Sequence, residues 1–172
     1  MAKFYIEPCT YANGTQPKDM DSPTSIGCGQ DVPNVSWVDG QIGGDFTPLF
    51  LIQDNQILVP VRLGHNGKEI ITPLLLDTGA SIIVLHQQFA EALNLETEQK
   101  GLSRMASGKM IQSELAKVDY LKLGPFTMES VRVVVIKHQG PPVKFSGLLG
   151  MNFLRNVNYK IDYKNQVIHW IP

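Results

Sequence analysis

The stretch Pro73 to Leu85, PLLLDTGASIIVL, sets one acidic residue, Asp77, between two apolar runs. Leu74 to Leu76 and Ile82 to Leu85 draw their neighbour toward an interior, where a carboxylate is costly unless it is paired and hydrogen-bonded. The residues just after it are suited to compensate. Gly79 frees the backbone to turn sharply, and the hydroxyls of Thr78 and Ser81 can hold a fixed hydrogen-bond geometry. The segment reads as a carboxylate presented on a tight loop. Its plainest alternative is an ordinary turn between two buried strands, with Asp-Thr-Gly as turn chemistry.

A second element answers the first further along: Gly147-Leu148-Leu149-Gly150-Met151-Asn152-Phe153-Leu154. Together the two segments resemble the active-site loop and the apolar-apolar-Gly element of retropepsin-like aspartic peptidases, the single-domain relatives of pepsin, in the compact form found in bacteria and retroelements. The resemblance covers Ile57 to Pro172. It implies an all-β fold, a single-lobe aspartic protease barrel with one or two short helices, closed by dimerisation.

At 172 residues, with 43% hydrophobic and 18% charged residues, the chain can bury one good core and is most simply one domain plus an extension. A formal net charge of −1 gives no electrostatic reason to expect nucleic acid or an anionic membrane as a partner. No apolar stretch approaches the ~20 residues that span a bilayer, and Met1 to Pro8 has no signal-peptide core. The supplied segment is expected to be soluble without membrane contact, and its compartment is open, since a segment of an extracytoplasmic or membrane-anchored precursor would look the same. Cys9 and Cys28 both lie in the extension and are equally compatible with a disulfide or with two unrelated thiols.

Residues 1–47 are rich in Gly, Pro, Asn, Asp, Ser and Thr without a sustained period, and read as an irregular extension or linker. The body is expected over 48–172. Strands are expected at Pro48 to Gln53 and Ile57 to Leu63, with a turn at Asp54-Asn55. The Asn66-Gly67 hairpin signal then leads into Glu69 to Leu76 and the Asp77 loop. After Ile82 to Leu85, Phe89, Ala90 and Leu93 recur at helical spacing, which predicts a short helix over Gln87 to Leu95 with Asn94 as terminator. Gly101 to Leu123 reads as a second hairpin turning at Ser107-Gly108, and Gly124-Pro125 makes the next turn. Val131 to Ile136 is so continuously apolar that most of it should be buried on both faces. After a loop from Lys137 to Ser146 and the second motif, Val157, Tyr159, Ile161 and Tyr163 alternate with polar residues, and Val167 to Ile171 forms the last strand.

Peptide hydrolysis by carboxylates needs one acid protonated and one ionised, and two such groups about 3 Å apart share a proton, aspartic proteases being the standard case. No other aspartate in the chain is followed by Thr-Gly or Ser-Gly. By the resemblance, Asp77 is the catalytic residue, and the second acid comes from another copy of the chain in a homodimer acting on a peptide or protein substrate. Thr78 and Gly79 support the active-site loop. Ala80, Ser81 and Leu148 line the cleft, Leu149 and Gly150 belong to the structural second motif, and Met105, Ala106, Ser107, Gly108 and Lys109 form the tip of a flap over the substrate. The same hairpin could also be an ordinary exposed one. Retroviral members commonly pair an acid at the place of Ser81 with an arginine at the place of Met151, and that ion pair is absent here. No cofactor is implied and no metal site emerges, since His65, His86, His138 and His169 are widely spaced and suit surface or singly hydrogen-bonded roles. The leading expectation is an aspartic endopeptidase acting on extended, mostly apolar segments. The alternative is a catalytically silent retropepsin-like module kept for dimerisation or peptide binding. An intact Asp77-Thr78-Gly79 argues against the silent module, because an unneeded buried acid is destabilising.

The boundary is testable directly. A chain starting at Gly44 should keep the cooperative melt and solubility of the full chain, because the extension lacks periodic apolar residues. Loss of either on truncation would show that the extension packs on the body.

Overall fold

The computed structural model describes residues 55–171 throughout, with short strand segments ahead of them. Those segments are β1 (Ile6–Glu7) paired with β2 (Asn34–Val35), β3 (Phe46–Pro48) and β4 (Phe50–Leu51). The expectations for the rest of the extension, including both cysteines, lie outside the described residues.

Regular structure in the body begins with β5 (Ile57–His65) and β6 (Lys68–Leu76), joined through Asn66 and Gly67, both at positive φ as the hairpin signal requires. Then come β7 (Ile83–His86), α1 (Gln87–Ala92), β8 (Thr97–Arg104), β9 (Met110–Leu123), β10 (Phe126–Ile136), β11 (Gly147–Leu149), α2 (Met151–Leu154), β12 (Asn158–Asp162) and β13 (Val167–Ile171). Asn94 ends the helical segment at φ 52, the left-handed conformation asparagine tolerates better than other side chains.

The main sheet runs β4-β5-β6-β11-β7-β10-β9-β8. A further pairing of β5 with β9, Arg62 to Lys122 through Gly64 to Tyr120, closes six of these strands into a barrel. At that seam the Tyr120 ring lies across Gly64, and its hydroxyl bonds to Glu69, which also pairs with Arg62. β12, β13 and β3 form a separate three-stranded sheet. The order places β11 between β6 and β7, parallel to the first and antiparallel to the second. The strands on either side of the Asp77 loop are therefore not neighbours. With strands about 4.8 Å apart, the loop must bridge roughly 10 Å and cross the end of β11.

The barrel interior is filled by Val59, Val61, Leu63, Leu74, Ile83, Leu85, Leu121, Val133, Leu149 and Phe153. Phe89 and Ala90 bury the inner side of α1, which packs on β7 and β10. Trp170 on β13 sits edge-on to Phe126 at 5.5 Å and to Tyr159 at 6.0 Å, tying the small sheet to the β9–β10 turn.

Three expectations need correcting. Val131, Val133 and Val135 are buried, but Val134 and Ile136 are only half-buried, because the other face of β10 is incompletely covered. The hairpin arm β8 starts at Thr97 rather than Gly101. Tyr163 is exposed rather than part of the inward alternation, since the Asp162 carboxylate accepts the Asn165 N–H at 3.0 Å and turns the chain there.

Phe153 is the largest fully buried side chain among the described residues. Phe153→Ala should cost about 3–5 kcal/mol, read as a lower denaturant midpoint at unchanged slope. A loss below 1 kcal/mol would show that the core beneath the second motif is not close-packed.

Candidate active site

The Asp77 loop is fastened from beneath by the second motif. Asp77 N–H donates to the Leu149 carbonyl at 3.1 Å, and Met151 N–H donates to the Ala80 carbonyl at 2.7 Å. Between these two ties the loop closes on itself, with Gly79 N–H donating to Asp77 Oδ1 at 2.8 Å and Ala80 N–H to the Asp77 carbonyl at 3.3 Å. Oδ2 has no protein donor among the described residues. Asp77 is half-buried, and Thr78, Gly79 and Ser81 are exposed. The carboxylate is thus less enclosed within one chain than its apolar flanks suggest. One oxygen is fixed by backbone, and the other accepts no hydrogen bond from the described residues.

The crossing depends on the glycine that ends the second motif. A Cβ on Gly150 would lie 2.5 Å from both the carbonyl carbon and oxygen of Ile82, and 2.9 Å from the Ala80 carbonyl oxygen. These are backbone atoms that cannot swing aside, so only glycine permits the contact.

Asn152, in the second motif, supplies a brace. Its Oδ1 accepts the Ile83 N–H at 2.9 Å and its Nδ2 donates to the Arg132 carbonyl at 3.0 Å, joining α2 to the start of β7 and to β10. Behind the loop, the buried hydroxyls of Thr72 and Ser146 bond to each other. An asparagine or a serine carries no positional signal in a single sequence, so neither was recognisable beforehand.

Leu148, expected to line the cleft, is one member of a longer row. Leu75 on β6, Leu148 on β11, Val84 on β7, Val134 on β10 and Leu115 on β9 are consecutive register partners across five strands. All five are half-buried, while Leu74, Leu149, Leu85, Val133 and Ala116, one position along on the other face, are buried in the core. The result is an aliphatic floor flanking the Asp77 loop. Four of its members were missed because alternation within each strand does not reveal how strands align.

Met105, Ala106, Ser107, Gly108 and Lys109 occupy the tip of the β8–β9 hairpin, all exposed. Gly108 turns at φ 81, with its N–H donating to the Met105 carbonyl at 2.9 Å, and Met105 N–H donates to the Lys109 carbonyl at 2.8 Å. No hydrogen bond among the described residues joins this tip to the Asp77 loop.

The histidines depart at two places from the expected surface or singly hydrogen-bonded roles: His65 is half-buried and its two ring nitrogens engage Asp119 at 3.2 Å and Asn66 at 3.1 Å, and the other is His86. His86, at the end of β7, is buried, and burial together with repulsion from His138 lowers its pKa to about 4. Among the described residues, no group of three or more His, Cys, Asp or Glu side chains is placed to hold a metal ion.

A retropepsin-like aspartic protease fold accounts for the closed barrel, the crossed loop and the two motifs together. The family model for aspartyl proteases matches residues 59–153, more than half of the chain. The chain belongs to the aspartyl protease family. Among solved structures, it is similar in fold to a retropepsin-like aspartic protease from Rickettsia conorii at 17% identity, covering 73% of this chain and 87% of that one with a TM-score of 0.51. The retroviral protease-like domain of Ddi1 from Leishmania major matches at 16% identity, over 68% of this chain and 94% of that one, with a TM-score of 0.43. No curated protein matches the chain in sequence.

Gly150→Ala should destabilise the fold by about 1–3 kcal/mol and shift the amide resonances of the Asp77 loop. Gly101→Ala, where an added Cβ meets nothing within 4 Å, should stay within about 0.5 kcal/mol of wild type. Equal stability of the two variants would contradict the close crossing.

Proposed function

We propose that this chain is an aspartic endopeptidase that hydrolyses extended, mostly apolar peptide segments, with Asp77 from each of two copies forming the catalytic pair. The observation that carries the reading is a half-buried carboxylate with one oxygen held by backbone and the other without a donor among the described residues, set beside an aliphatic floor. One acid cannot complete the reaction. The residues described offer no second Asp-Thr-Gly loop, so the simplest completion is a two-fold axis that brings two Asp77 loops together.

In that pair, mutual repulsion leaves one carboxyl protonated and one ionised. The ionised Asp77 takes a proton from water as the water oxygen attacks the peptide carbonyl carbon, and the protonated Asp77 of the second copy donates to the carbonyl oxygen. The tetrahedral diol collapses when a carboxyl gives its proton to the amide nitrogen. The C–N bond then breaks, and the other carboxylate recovers a hydroxyl proton. Thr78 and Gly79 shape the loop, Ala80, Ser81 and Leu148 contact substrate, and residues 105–109 close over it. The floor rewards apolar side chains at about 25 cal/mol per Å² buried. The body over 48–172 is the catalytic domain.

Hydrolysis of a peptide library at mildly acidic pH tests the activity, and Asp77→Asn should lower turnover about 100-fold or more while the fold persists. Activity should also fall on dilution. Adding a tenfold excess of Asp77→Asn chains should reduce wild-type activity roughly tenfold, because most wild-type chains then sit in mixed pairs. A diluted chain that keeps full activity beside the variant would overturn the paired mechanism. Peptide binding without cleavage at any pH would favour the silent module.

A further inference from the structure

The aliphatic floor has a second row beside it. By the alternation of strands, His86 shares a face with Val84, and Ile136 shares one with Val134. Ile136 is the register partner of His86 on β7 and of Ser113 on β9. The 137–146 loop covers this row. The His138 ring lies 4.8 Å from that of His86 at an interplanar angle of 36°, and the Phe145 ring lies 5.9 Å away. The end of the loop is anchored by Ser146 N–H donating to the Pro73 carbonyl at 2.9 Å, and by His86 N–H donating to the Ser146 carbonyl at 2.8 Å. Nε2–H of His138 donates within the loop to the Pro141 carbonyl at 2.8 Å.

The geometry points to His86 and His138 as positioning residues for the substrate groove: their rings, packed at a tilt and flanked by Phe145, latch the 137–146 loop as a wall beside the aliphatic floor, and acid releases that wall. This rests on reading the floor as the base of a peptide groove. The His86 ring makes no hydrogen bond among the described residues, so nothing there stabilises a charge on it. The elements around it bring Ile136 from β10, Ser113 from β9, Gly147 and Leu148 from β11 and Gln87 from α1, none of which titrates. Glu91 on α1 is engaged by Gln87 at 2.7 Å. Lys137 and Lys144 are exposed on the loop, and His138 is the charged group that acts on His86.

The sign follows from linkage. With the latch closed, His86 holds its proton only below about 4, whereas a ring released to water titrates near 6.5. The closed latch is therefore fully favoured above pH ~6.5, weakens as the pH falls through that window, and stops changing below ~4. The total weakening is more than a hundredfold.

The test uses the full chain. Ring resonances of His86 should titrate well below 6. The Ser146 and His86 amides, corrected for intrinsic exchange, should lose protection at least tenfold between pH 6.5 and 4. His86→Phe keeps a ring that cannot charge and should flatten that loss. Should that variant fold poorly, His138→Phe on the exposed loop should raise the His86 midpoint by removing the repulsion. In an Asp77→Asn background, which removes the titration of the catalytic acids, the affinity for a dye-labelled extended peptide of Leu, Val and Phe should fall with the same midpoint. A His86 midpoint near 6.5, amide protection flat across the window, or peptide affinity that ignores the latch would each overturn the inference. A latch that behaves as described in a chain that cleaves no peptide would refute the endopeptidase and leave the latch standing.

Discussion

Everything at the candidate site follows from the insertion of β11 between β6 and β7. Two strands that are consecutive in the chain are denied each other as partners, so the segment joining them must pass over the strand that separates them. A crossing of two backbones at van der Waals distance leaves no room for a side chain on the lower one, and Gly150 meets that condition. The same crossing lines up the carbonyl of Leu149 with the N–H of Asp77 and the N–H of Met151 with the carbonyl of Ala80. Both ends of the acidic loop are held by backbone groups that would otherwise need partners of their own. The loop is rigid because its hydrogen bonds are obligatory.

That rigidity also separates the two faces of the barrel wall. Residues on one face of β6, β11, β7, β10 and β9 fill the core, and those on the other make the half-buried aliphatic row. A row of five aliphatic side chains left half-exposed is an unfavourable surface for an isolated barrel, and it suits a partner that is apolar and extended. The partial exposure of Val134 and the floor beside Asp77 have a single origin. β10 looked buried on both faces because its outer residues are as apolar as its inner ones.

What could be read from the chain alone was local. The Asn66-Gly67 turn, the helix ended by Asn94 and the Gly108 turn each rest on residues adjacent in sequence, and each is found where the pattern places it. The two motifs were legible because Asp77 and Gly150 are chemically unusual in their apolar surroundings. Long-range alignment was not legible. The register that brings Leu75, Leu148, Val84, Val134 and Leu115 into one row depends on pairings among strands far apart in the chain. The burial of His86 depends on a loop that returns to it from residue 138. Asn152 was visible as a letter but not as a brace, because its two partners are the backbone groups of Ile83 and Arg132.

The replacement of the retroviral-type ion pair bears on the same point. With Ser81 exposed and Met151 half-buried, no charge couples the loop to α2. The coupling is made by the Met151 N–H and by the neutral amide of Asn152, which ties α2 to Ile83 just past the loop. Neutral hydrogen bonds to backbone neither titrate between pH 3 and 8 nor weaken with salt as an exposed ion pair does. The ties of the Asp77 loop to α2 and β11 are thus insulated from acid, while the wall held by His86 and His138 is exposed to it. For the Asp77 pair proposed above, whose chemistry would depend on the protonation of its carboxyls, that division keeps the position of the acids constant and leaves the groove beside them free to respond.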